Sequence, residues 1–164
     1  MQDLEGYTGQ QARLLTAESQ LKRNGELAHE IAKEIASKLH GFAAKLPGRS
    51  AAFLRQSDSG QEYDVRYRVG IERTFRSGLL RSFRYKLLQI HLHGNFQSVI
   101  ASVSAPEGHP FADGLVVSDA ERAEKIFSAA YLASLLPEQV RLSEEAFQMW
   151  KEDGSAFGFL RNGS

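Results

Sequence analysis

The chain has 164 residues, 42% of them apolar and 24% charged, a balance that fits a folded domain and excludes a disordered or collagen-like polypeptide. Cysteine is absent, which removes disulfides, thiolate zinc sites and cysteine nucleophiles together and fits a reducing compartment. Formal net charge is zero, no apolar run approaches the roughly 18 residues of a membrane span, and no signal-peptide core follows Met1-Gln2-Asp3-Leu4-Glu5, so one cytoplasmic domain with no membrane partner is expected.

Residues 1–48 read as a helical hairpin. Leu27, Ile31, Ile35, Leu39, Phe42 and Leu46 recur at spacings of four and three, one apolar stripe that Ala28, Ala32, Ala36 and Ala43 widen. Pro47-Gly48 ends it. A weaker pattern through Leu14, Leu15 and Leu21 predicts a preceding helix, with Asn24-Gly25 as the break between the two. The stripe is expected to pack on a sheet, with a homodimer seam as the alternative.

From residue 49 to 104 the period falls to two. Val65, Tyr67, Val69 and Ile71 alternate with Asp64, Arg66 and Arg68, as in a strand buried on one face. Turn residues at Ser57-Asp58-Ser59-Gly60, Ser77-Gly78 and Gly94-Asn95 divide the segment into four strands. Their short connections require an antiparallel meander, because parallel neighbours need a crossover of about a dozen residues. In the strand from Arg81 to His93 the alternation changes phase: Phe83, Tyr85 and Leu87 precede Leu88, Ile90 and Leu92. Either a bulge sits near Leu87 or that end is covered on both sides.

Helix returns over residues 115–153 after the loop Ala105 to Gly114. Ser118-Asp119-Ala120-Glu121 forms a capping box, Leu136-Pro137 ends the first helix, and Ser143 caps a second with Leu142 and Phe147 as its staple and Trp150 as its anchor. Residues 154–164 read as a tail in which Phe157, Phe159 and Leu160 are able to dock as an edge segment. The expected class is α+β, a single domain over 1–164 with two N-terminal helices, a four-stranded, mainly antiparallel sheet and two C-terminal helices.

Chemistry is sparse. The chain has neither a dinucleotide fingerprint nor a P-loop, and no serine lies in a nucleophile-elbow pattern. Glu144-Glu145 and Glu152-Asp153 read as ordinary charges at helix ends. His91 and His93, two apart on a strand, share a face; with His109 in the loop Glu107 to Asp113 they make the alternative reading, a small histidine-based metalloenzyme.

The stronger signal is basic. Residues 49–95 carry nine basic and four acidic side chains, whereas residues 96–164 carry five basic and ten acidic, so the neutral chain is dipolar. Arg66 and Arg68 share one strand face, Arg84 and Lys86 share another, and Arg73, Arg76 and Arg81 surround the connecting turn. These seven are the expected partner-binding set, with the two rows imagined side by side. The reading that follows is a non-enzymatic binding or regulatory protein, of the inhibitor or adaptor kind, without cofactor or metal. Its partner is an acidic protein surface or nucleic acid, and the acidic last third serves as a second contact surface or as a cover for the arginines.

Overall fold

The computed structural model describes residues 2–57, 65–95, 97–104 and 115–156. Helix α1 (Gln2–Ala43) is followed by strands β1 (Arg49–Ser57), β2 (Val65–Ser77), β3 (Arg81–Gly94), β4 (Val99–Ser104) and β5 (Leu115–Val117), then by helices α2 (Ala120–Ile126) and α3 (Ala129–Ala156). The strands form one antiparallel sheet in the order β1-β2-β3-β4-β5, the expected meander with a fifth strand added. No helix among the described residues is long and apolar enough to cross a membrane.

All three helices join the core on one side of the sheet. Ile31, Ile35 and Leu39 of α1 are buried together with Tyr67, Val69 and Ile71 of β2 and Leu88, Ile90 and Leu92 of β3. Val99, Ala101 and Val103 of β4, Val117 of β5, and Phe127, Leu132 and Leu136 complete that layer. The stripe predicted on α1 is thus spent on the core.

Helix α1 does not break at Asn24-Gly25 but runs through it for 42 residues, about 63 Å at 1.5 Å per residue. These two residues are where the helix crosses the sheet. Asn24 Nδ2 donates to the Asn95 carbonyl at 2.6 Å. A Cβ on Gly25 would lie 3.2 Å from Val65 Cγ2, and one on Gly94 would lie 2.8 Å from the Asn24 carbonyl oxygen. The glycines serve close approach, not chain reversal.

The C-terminal helices also divide differently from expectation. The N-cap is Asp119, one residue later than predicted, whose carboxylate accepts from the Arg122 amide at 2.7 Å. Helix α2 stops at Ile126, and α3 continues through Pro137, which forgoes one helical hydrogen bond. The buried side chains Leu132, Leu136 and Ser143 lie on one stripe across the proline, so packing holds both segments in line. Ser143 is therefore not a cap; it lies mid-helix and donates back to the Val140 carbonyl at 2.6 Å. Trp150 stacks on Phe83 and Phe147, with ring centroids 5.4 and 5.9 Å apart. The proposed tail docking of Phe157, Phe159 and Leu160 falls outside the described residues, as does the turn Asp58-Ser59-Gly60.

Candidate functional site: the open sheet face

The phase change in β3 is a bulge. Ile71 pairs with Leu88 and Glu72 with Lys86, so Leu87 is the extra residue. Before it, Phe83 and Tyr85 point to the helix side; after it, Leu88, Ile90 and Leu92 do. The even residues Arg84 and Lys86 and the odd residues Gln89, His91 and His93 are thereby brought to the same opposite face. Gly70, beside the bulge, is required by close approach: a Cβ there would overlap the Leu88 carbonyl oxygen and lie 3.0 Å from the Phe53 ring.

Register then fixes what this second face displays, and none of the described helices covers it. Arg55 of β1, Arg68 of β2 and His91 of β3 form one cross-strand row; Ser57, Arg66 and His93 form the next. At the other end, Arg49, Thr74 and Arg84 align, beside Ala51, Glu72 and Lys86. Arg76 lies outermost, opposite Ser82. Arg49, Arg55, Arg66, Arg76, Arg84 and Lys86 are exposed, and Arg68 is half-buried. Toward β4 and β5 the face continues with Ser102 opposite His91 and Ile100 opposite Val116.

Of the seven basic residues expected from sequence, the fold brings together five: Arg66, Arg68, Arg76, Arg84 and Lys86. They are not side by side. The Arg68 row lies four residues along β2 from the Glu72–Lys86 row, about 13 Å at 3.3 Å per residue, with Gly70, Phe53 and Gln89 between them. Arg49 and Arg55, which sequence reasoning did not select, complete the two ends because β1 pairs with β2. The alternation Arg49, Ala51, Phe53, Arg55 was the available signal, but the inner face of β1 alternates the polar Ser50 and Gln56 with Ala52 and Leu54, too mixed to mark it as buried.

Arg73 and Arg81 belong elsewhere. Arg73 faces the helix layer and is 7% exposed; its Nη1 donates to Ser143 Oγ at 3.1 Å and to Glu144 Oε1 at 3.3 Å, and its guanidinium lies 4.3 Å from the Phe75 ring centroid. Gly48, at φ +73°, leaves the room this side chain occupies. Arg81 lies over the Trp150 ring at 5.1 Å. Both are cations of the covered side, separated from the others by the thickness of the sheet.

Electrostatics on the open face are lopsided. Glu72 is the one carboxylate among the described residues of its β1–β3 region, and Arg55 stands directly opposite Arg68, an unfavourable like-charge pair. The Arg68 Nε atom is buried without a hydrogen-bond partner. Burial first, then the neighbouring Arg68 and Lys86, lowers the His91 pKa below its ordinary value. The Nε2 atoms of His91 and Gln89 are 2.8 Å apart. The described helices of the acidic last third, α2 and α3, lie across the sheet from these arginines, and Glu144 pairs with the inward Arg73.

The histidines divide likewise. His91 and His93 share the open face on β3, as spacing predicted, while His109 lies outside the described residues. Among the described residues no group of three or more His, Cys, Asp or Glu side chains is placed to hold a metal ion. No family model, curated protein or solved structure matches the chain.

Proposed function

We propose that this protein is a binding module without catalytic chemistry of its own, whose open sheet face engages an acidic macromolecule, a carboxylate-rich protein surface or a nucleic-acid backbone. The single observation supporting this reading is the convergence of Arg49, Arg55, Arg66, Arg68, Arg76, Arg84 and Lys86 on one face that no described helix covers, where Glu72 is the one carboxylate among the described residues of β1–β3. Folding sets Arg55 directly opposite Arg68 at an electrostatic cost, which an anionic partner relieves. Guanidinium forks bind carboxylate and phosphate in the same bidentate manner, so the face suits both.

Affinity capture from the source cell, with and without nuclease treatment, identifies the partner class. Arg55, Arg66 and Arg84 changed together to glutamate should abolish capture while leaving the fold intact, since all three are exposed and exposed charges contribute little to stability. Phosphate contacts should give an affinity that falls steeply with salt, and a protein interface with a dry core a shallower dependence. A folded triple variant that retains full affinity removes the open face as the contact surface.

A further inference from the structure

The hairpin joining β2 to β3 ends in Gly78-Leu79-Leu80, with Gly78 in the left-handed region at φ +75°. Leu79 and Leu80 are 101% and 98% exposed, touching essentially nothing of their own chain. The hairpin protrudes. Strand β1 begins opposite Thr74 and β4 ends opposite Gln89, so among the described residues no outer strand lies beside residues 75–77 and 81–88. This is no loosely held tip: Phe75, Phe83, Phe147 and Trp150 stack below it, with Phe75 and Phe147 centroids 4.4 Å apart. A rigid aromatic base thus presents two adjacent bare leucines to the surroundings.

The collar around them is cationic. Arg76 and Arg84 flank the tip on the open face, and Arg81 flanks it on the other, held over the Trp150 ring. Met149, 63% exposed, and Lys151 are the neighbours of Trp150 on α3, before Glu152 and Asp153. Apolar side chains at the end of a convex projection, with arginines and a tryptophan set back from them, match the layering of a bilayer surface: hydrocarbon outermost from the protein, charged headgroups at the collar.

We propose that the Leu79-Leu80 tip docks this protein on an anionic lipid surface, the leucines entering the headgroup and acyl boundary while Arg76, Arg81 and Arg84 meet lipid phosphates and carboxylates. A protein pocket able to receive the tip would have to be deep and concave, whereas a bilayer deforms around it. No membrane-spanning helix is needed for such contact. Two leucines and a basic collar give reversible binding, dependent on lipid charge and on salt. This site is distinct from the Arg55, Arg66 and Arg68 end of the open face, some 30 Å away along β2 at 3.3 Å per residue.

The test uses the full chain and vesicles of phosphatidylcholine alone or with 30% phosphatidylserine. Trp150, the one tryptophan in the sequence, lies beside the collar and reports directly. Sedimentation with the serine-lipid vesicles should retain the protein, its fluorescence should shift to the blue, and brominated lipid should quench it. Binding should drop at least tenfold on phosphatidylcholine alone, in 0.5 M salt, and in the double variant Leu79→Asn/Leu80→Asn. Because both leucines are fully exposed, that variant should keep the parent melting temperature; if it does not, brominated-lipid quenching of the parent decides. Arg55→Glu/Arg66→Glu/Arg68→Glu should bind vesicles within a few-fold of the parent even where it loses the macromolecular partner, which separates the two readings. Failure of the parent chain to bind anionic vesicles, or undiminished binding by the folded leucine variant, overturns the proposal.

Discussion

The two faces of the sheet are made of the same strands, one residue out of step, and differ in nearly every physical respect. On the covered face, Tyr67, Val69 and Ile71 meet Leu92, Ile90 and Leu88 under α1, and the cation Arg73 is tied to Ser143, Glu144 and the Phe75 ring. On the open face, Arg55 stands against Arg68, and Lys86 has Glu72 as its cross-strand partner. Burial near the helices gives Arg73 Nη1 two hydrogen-bond partners, although its Nε is left without one, while solvent opposite lets like charges remain adjacent. Arginine therefore plays two unlike parts in one short segment, packing from one face and recognition from the other.

The most severe way to break this contrast is to put an open-face chemistry into the covered face. Ile35 is 2% exposed, so Ile35→Asp should lose at least about 4 kcal/mol and unfold the domain, read as loss of the urea transition and of far-ultraviolet helix signal. A folded Ile35→Asp protein with native melting would show that α1 is not held by this stripe. Next comes the device that sets the faces in phase. Gly70→Val has no space against the Leu88 carbonyl and the Phe53 ring, and should cost about 3 kcal/mol, with loss of amide protection in β2 and β3 by hydrogen exchange. A variant of parent stability would mean that the bulge at Leu87 is free to move.

Arg73 and Arg84 sharpen the comparison within one residue type. Arg73→Ala removes a buried stem, two donated hydrogen bonds and a ring contact, and should cost about 2 kcal/mol, whereas Arg84→Ala should stay within about 0.5 kcal/mol. Partner affinity should show the reverse ranking. Equal stability effects of the two would erase the distinction between packing and recognition arginines.

The smallest effect is in pH. His91 binds its proton less readily folded than unfolded, because of burial and the nearby Arg68 and Lys86. Below about pH 6.5 the unfolded chain takes up this proton first, so stability falls as pH drops from there through the lower folded pKa and levels off beneath it. His91→Gln should flatten that part of the stability profile. An anionic partner on the open face should raise the His91 pKa, followed by the ring proton shift, and a pKa unmoved by partner would place the contact away from this row.

Much of the covered face was legible in the sequence. The spacing of Leu27, Ile31, Ile35 and Leu39 and the alternation from Val65 to Ile71 state directly which residues turn inward, since each period has one apolar side. Short turns required the meander, and the break in alternation at Leu87-Leu88 left a bulge and two-sided cover as alternatives, between which the register decides for the bulge. The misreadings have a common cause. Asn24-Gly25 and Pro137 are local stop signals, and both lie inside helices because their surroundings reward continuity: a close helix–sheet crossing in one case, an unbroken buried stripe in the other. The short strand β5 has only three residues and is held by pairing with β4, a contact that no local pattern encodes.

The open face shows the limit most clearly. Composition and periodicity by themselves determined that this segment is rich in arginine, that its strands alternate, and that some cations must face outward. They did not determine which ones. A strand's neighbours and the phase across a bulge are set by long-range hydrogen bonding, and a one-residue shift moves every side chain to the other face. Only the tertiary structure therefore sent Arg73 and Arg81 to the helices, placed Arg84 and Lys86 with His91 and His93, and brought Arg49 and Arg55 alongside.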